Sequence, residues 1–109
     1  MKLLQLQNLI EETNRPTLAI RVLFAMVETA NQDGFVELDR EEICSVAGVD
    51  PTTQINNFSQ VCNELCKLNL LEFCYQDAAG ELHQKRGRGR KVKYKVPVSV
   101  SSLFSLNSK

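Results

Sequence analysis

The chain is predicted to fold as a mainly α protein with a small β-hairpin, and three observations carry that expectation. Apolar residues recur three to four positions apart through most of residues 1–68, they alternate with polar ones in two short runs afterwards, and turn residues separate the segments. The length of 109 residues corresponds to one domain, and an apolar content of 43% is enough for one core without disulfides or a metal.

Leu3, Leu6, Leu9 and Ile10, with Gln and Asn between them, predict a short amphipathic helix over 2–13. Asn14-Arg15-Pro16 breaks it, and Pro16 suits the first turn of a second helix, where its missing N–H costs nothing. Leu18, Ile20, Val22, Leu23, Met26, Val27 and Ala30 give this helix the wide apolar face of a core element, ending at Asn31-Gln32-Asp33-Gly34. Phe35 to Leu38 reads as a brief strand or extended link. Asp39 with Glu42 three residues on has the form of a capping box, starting a short helix with Ile43, Val46 and Ala47 inward and a stop at Gly48. Asp50-Pro51 repeats the start signal, so a longer helix is predicted from Thr52 to Leu68, with Ile55, Phe58, Val61, Cys62, Leu65 and Leu68 on one side.

Two strands follow. Leu71, Phe73 and Tyr75 share one face of the first, and Val92, Tyr94 and Val96 one face of the second. Between them lie Asp77-Ala78-Ala79-Gly80 and Arg86-Gly87-Arg88-Gly89-Arg90, and part of 81–85 is expected to extend the hairpin, since long structureless loops are uncommon. Pro97 ends the second strand. Residues 98–109 read as a Ser-rich tail with Val100, Leu103, Phe104 and Leu106 as packing handles.

The formal net charge is zero, from 13 Lys+Arg and 13 Asp+Glu, but the charges are segregated. Residues 1–81 hold all 13 acids and 5 bases (Lys2, Arg15, Arg21, Arg40 and Lys67), a balance of −8, and residues 82–109 hold 8 bases and no acid, a balance of +8. Such asymmetry points to a segment that meets an anionic partner. No apolar run approaches the ~20 residues of a membrane span, and 1–10 is too interrupted for a secretory signal, so a cytoplasmic protein with no membrane partner is expected.

The order of elements resembles the winged helix-turn-helix superfamily of DNA-binding domains. The likeness rests on Gly34-Phe35-Val36-Glu37-Leu38-Asp39, on Ala47-Gly48-Val49-Asp50 as the turn, on Leu65-Cys66-Lys67-Leu68-Asn69-Leu70-Leu71, and on Arg86-Gly87-Arg88-Gly89-Arg90 with Tyr94. Asn69 stands where many members have Gly; Asn also tolerates a left-handed helix stop. The resemblance implies a three-helix core plus wing over 15–98, preceded by an extra N-terminal helix at 1–14 and followed by a tail at 99–109. It further implies that the third helix of that core, within Thr52 to Asn63, reads the major groove, and that the wing, 85–95, touches backbone or minor groove.

The chemistry of the residues runs the same way. Thr52, Thr53, Gln54, Asn56, Asn57 and Gln60, with Ser59 and Asn63, are amides and hydroxyls able to meet base edges, Gln and Asn bidentately at adenine. A purely solvated face usually carries Lys and Glu pairs instead. Lys85, Arg86, Arg88, Arg90, Lys91 and Lys93, with Lys95, supply cations for phosphates. Lysines that shield a sheet edge from aggregation account for Lys91, Lys93 and Lys95 but not for the arginine-glycine tip.

Cys62 and Cys66 at i, i+4, and Cys74 facing His83 across a tight hairpin, form a rival zinc or redox reading. With no Cys-x-x-Cys, buried thiols acting as small hydrophobes, Cys44 included, are the better account, and His83 is assigned to the basic wing. No cofactor, metal or enzymatic activity is expected: one His has no nucleophile partner, and Glu41 and Glu42 look like first-turn helix charges. The expected protein is a small transcriptional regulator binding double-stranded DNA as a homodimer, through the first helix or the Phe104 region. The alternative is a protein–protein module or an accessory protein of replication or transposition.

Overall fold

The computed structural model describes residues 1–105. In chain order the elements are α1 (Leu3–Glu11), α2 (Pro16–Thr29), α3 (Arg40–Ala47), α4 (Ile55–Lys67), β1 (Glu72–Gln76), β2 (Leu82–His83), β3 (Lys91–Lys95) and α5 (Val98–Ser105). The fold is α+β, mainly helical, with one small antiparallel sheet in the strand order β2-β1-β3.

Local chemistry sets most boundaries. Asp39 accepts the Glu42 N–H at 2.9 Å while Glu42 Oε1 accepts the Asp39 N–H at 3.1 Å, a complete capping box for α3. Gly48 ends that helix in the left-handed region, φ 73°. Asn69, φ 61°, does the same after α4, as its tolerance of this conformation allows. Helices α2, α3 and α4 enclose a core of Val22, Leu23, Met26, Ile43, Phe58, Val61 and Leu65, all fully buried. From α1, Leu6 and Ile10 join the same core, so this helix packs on its own chain. Burial of each such side chain stabilises the fold by roughly 1.5–3 kcal/mol before entropy is counted.

The sheet closes the core from the other side. Phe73 pairs with Tyr94 across β1 and β3, and the Tyr94 ring meets Phe58 of α4 edge to face at 6.3 Å. Phe35 bridges to Lys95 and Val36 to Ala30, so 35–38 is an extended link beside β3.

Four expectations are corrected. Val46, expected inward on α3, is 49% exposed, because the buried face of that short helix is set by Ile43, Cys44 and Ala47, and position 46 lies about a quarter-turn to the side of it. The helix predicted from Thr52 begins at Ile55: Asp50 Oδ1 does accept the Thr52 N–H at 2.9 Å, but it caps a single turn that breaks at Gln54, φ −118° and ψ 16°. The Thr52 hydroxyl also bonds that carboxylate at 2.7 Å, a local alternative to the helical ladder. The tail contains a helix, α5, because Val100, Leu103 and Phe104 have helical spacing; Val100 is fully buried and Phe104 meets Phe24 edge to face at 5.3 Å. Leu106 lies outside the described residues. Finally, Cys74 does not face His83. Tyr75 pairs with His83 and Cys74 with Lys93, because Asp77 and Glu81 close a three-residue loop with Gly80 left-handed, one residue longer than a two-residue turn.

Candidate nucleic-acid interface

The outward surface of α4 and of the turn before it carries no charged residue from Thr52 to Asn63. Thr52, Thr53 and Gln54 stand exposed on the turn; Asn56, Gln60 and Asn63 are exposed on the helix, and Asn57 and Ser59 are half-buried. Hydrogen bonds from the side chain and backbone of Thr52, and then from Thr53, hold the Asp50 carboxyl below its ordinary value, so the turn is braced by an ionised Asp. Gln60 is not free: its Oε1 accepts from Arg15 Nη1 at 2.7 Å. Next to it, the Asn14 N–H donates to Glu64 at 3.1 Å, so the α1–α2 link lies along one flank of α4.

That flank is concave. An open cleft of about 640 Å³ is lined by Arg15, Arg21, Thr53, Gln54 and Asn57 together with Pro16, Thr17 and Leu18 at the N-terminus of α2. The first-turn N–H groups of a helix have no intrahelical partner, and Arg15 supplies no side-chain cap. Donors and positive charge thus face the cleft, an arrangement suited to an anion.

The other flank faces the basic loop between β2 and β3. Lys85, Arg86, Arg88 and Lys91 are exposed. Arg90 is half-buried and folds back, its Nη1 donating to the Lys85 carbonyl at 2.9 Å; a Cβ on Gly87 would come within 2.9 Å of the Arg90 side chain, so the glycine permits this closure. Lys93 is committed elsewhere: its Nζ lies 3.2 Å from Glu37 Oε2 and 5.4 Å from the centre of the Phe35 ring, with 15% of the side chain exposed. Lys95 also sits over Phe35, at 5.3 Å. Both lysines knit β3 to the extended link, so of the cations the sequence assigns to phosphate contacts, Lys85, Arg86, Arg88 and Lys91 are the ones left facing solvent.

Arg15, Arg21 and Arg40 form no cluster in the sequence, since they are scattered through the acidic half. The one local signal is Arg15-Pro16, a cation directly before a helix N-terminus.

The thiols behave as core atoms. Cys44, Cys62 and Cys74 are buried and Cys66 half-buried, with no disulfide among the described residues. Burial pushes Cys62 up to about 12 and Cys66 up to about 11, which keeps both protonated. His83 Nε2 lies 2.8 Å from Asp77 Oδ2, and Glu81 completes a group whose ligand atoms fall within 4.8 Å of one another. Asp77 is already occupied, because Oδ1 accepts the Ala79 and Glu81 N–H groups while Oδ2 meets His83. These contacts, the His83 bond first, hold its carboxyl below the ordinary range.

Among the described residues no helix is long and apolar enough to cross a membrane. Comparison with protein-family models, with curated proteins and with solved structures finds no match for this chain.

Proposed function

We propose that the chain is a winged helix-turn-helix domain that binds double-stranded DNA sequence-specifically, as a small transcriptional regulator. In this reading α2, α3 and α4 are the three-helix core, the 52–54 turn and α4 enter the major groove, and the β2–β3 loop is the wing on backbone or minor groove. The observation that carries the reading is the arrangement around α4: an uncharged amide and hydroxyl surface with cations on both flanks, Arg15 and Arg21 on one, Arg40 and Arg86 on the other. A helix in the major groove lies between two phosphodiester strands, so neutral hydrogen-bonding groups belong on its tip and cations on its sides.

Titration of duplex DNA at several salt concentrations tests this. Even ~4 phosphate contacts imply a log–log slope of about −3.6, and affinity that stays constant as salt rises would refute the proposal. Selection from random duplexes then gives the preferred sequence.

A second reading has its own observation. Leu3 and Leu4 of α1 are 56% and 67% exposed, although Leu6 and Ile10 are buried beneath them. This apolar end suits a second copy of the chain or another protein partner, and gel filtration distinguishes monomer from homodimer.

A further inference from the structure

On the Arg40 and Arg86 side of α4 lies a second concavity, of about 220 Å³. It is bounded by Asn63 of α4, Phe73 and Tyr75 of β1, Tyr94 of β3, Arg40 at the start of α3, and Arg86 of the β2–β3 loop. The sheet register explains why it exists. Phe73 and Tyr94 are cross-strand partners, and Tyr94 is buried against Phe58; beyond that contact the same sheet face is only partly covered, Tyr75 and its cross-strand partner Val92 being half-buried. Phe73 remains 41% exposed there, braced edge to face by Tyr75 at 5.9 Å.

The electrostatics are one-sided. Among the described residues no carboxylate lines the concavity. Among the described residues, neither Arg40 nor Arg86 has an ion pair or a side-chain hydrogen bond. Two guanidinium groups without an ion pair, beside the exposed Phe73 ring and the half-buried Tyr75 ring, complement a molecule that is itself both aromatic and anionic. Drug-sized ligands occupy roughly 300–1,000 Å³, so the smaller volume here restricts the occupant to a single ring.

The geometry points to a binding site for a single-ring aromatic carboxylate. Its ring lies against Phe73 and Tyr75, its carboxylate pairs with the Arg40 and Arg86 guanidinium groups, and the Asn63 amide offers a further hydrogen bond. Because Arg86 belongs to the basic loop and Asn63 to α4, occupancy ties these two elements together and withdraws Arg86 from other anions. The site goes beyond DNA recognition and does not depend on it.

The test is titration of benzoate into the full chain without DNA, followed by backbone-amide NMR. Saturable shifts are expected at Asn63, Phe73 and Arg86. Benzyl alcohol, of similar shape but uncharged, is expected to bind about tenfold more weakly or worse, as are Arg40→Ala and Arg86→Ala toward benzoate, given the usual worth of a charged hydrogen bond. Both arginines are exposed, and the amide spectrum reports that each variant is folded. Absence of saturable shifts at these residues, equal binding of benzyl alcohol, or undiminished benzoate binding by both variants would overturn the proposal. Since no DNA is present, this outcome is separate from that of the duplex titration.

Discussion

Arg15, the residue before the first turn of α2, holds Gln60 on the flank of α4 through a 2.7 Å bond from its Nη1 to the amide oxygen. Bidentate recognition of adenine uses both ends of a Gln or Asn amide, the oxygen accepting from N6 and the nitrogen donating to N7. If α4 meets base edges as proposed, Gln60, with its oxygen engaged, is a poorer reader than Asn56, which is exposed and makes no side-chain hydrogen bond among the described residues. Asn56→Ala is therefore expected to relax base preference at one position, within the roughly 1–3 kcal/mol of a good bidentate contact, and Gln60→Ala to relax it by less. Competition binding with a panel of single-base variants of the selected site measures both. A larger effect for Gln60→Ala would show that the Arg15 bond is broken in the complex.

The basic residues divide in a similar way. Arg86 and Arg88 face solvent, whereas Lys93 is paired with Glu37 and packed over Phe35. If the β2–β3 loop contacts phosphates as proposed, replacing Arg86 or Arg88 by Ala is expected to weaken binding to all duplexes and to flatten the log–log salt slope by about 1 each. Lys93→Ala is expected to leave the slope unchanged and to lower stability by up to about 1 kcal/mol, the usual worth of a partly exposed ion pair. Salt titration of binding and urea unfolding read the two effects separately.

The helices were legible in the sequence wherever one residue type has one local use: Asp39 with Glu42 as a box, Gly48 and Asn69 as left-handed stops, Pro16 in a first turn. What escaped was set by competition or by distance. Asp50 bonds Thr52 through both hydroxyl and backbone, and this local satisfaction delays the regular helix to Ile55. The three-residue loop ending in Gly80 moved His83 opposite Tyr75, and spacing alone does not distinguish it from a two-residue turn. For the site, the neutral surface of α4 and the basic loop could be read directly. Arg15, Arg21 and Arg40 could not, because only tertiary packing brings residues 15–21 and 40 to the flanks of a helix that starts at Ile55.

Two glycines separate backbone strain from steric exclusion. Gly34, φ 88°, is positioned so that a Cβ would lie 2.7 Å from the Val96 carbonyl oxygen, and its own carbonyl accepts the Val96 N–H at 2.8 Å. Gly89, φ 73°, has nothing among the described residues within 4 Å of the corresponding position. Gly89→Ala is expected to cost about 1–2 kcal/mol, the left-handed penalty alone, while Gly34→Ala costs more than that because backbone must move and the link to β3 is strained. Equal losses in chemical denaturation would mean that the Gly34 contact relaxes freely.

Asp77 makes the β1–β2 turn sensitive to acid. Its carboxyl sits below the ordinary value of 3.8, chiefly through the His83 bond and then through the Glu81 and Ala79 N–H groups. A carboxyl depressed on folding adds stability above its unfolded value, and that contribution is lost as pH falls through the folded value. The turn is therefore expected to loosen as pH falls below 3.8, with the protection of the Ala79 and Glu81 amides relative to intrinsic exchange falling there. Asp77→Asn, which cannot ionise, is expected to show faster exchange at neutral pH and little further change on acidification. A wild-type turn whose exchange follows only the intrinsic pH dependence would contradict this account.

The segregated charge gives the last expectation. If duplex DNA meets α4 and the basic loop, the acidic residues elsewhere act at a distance by repelling the same polyanion from every other approach. Glu11, Glu12 and Glu28 suit a test because they are exposed and form no ion pair or side-chain hydrogen bond among the described residues, so their removal leaves the fold intact. The triple variant Glu11→Gln, Glu12→Gln, Glu28→Gln is expected to bind random-sequence duplex a few-fold more tightly while its preference for the selected site narrows. Screening confines the effect to low salt, since the Debye length falls from about 30 Å at 0.01 M to about 8 Å at physiological ionic strength. A gain that persisted at high salt would point to a direct contact between α1 or α2 and DNA, and no change at low salt would remove the acidic body from any part in specificity.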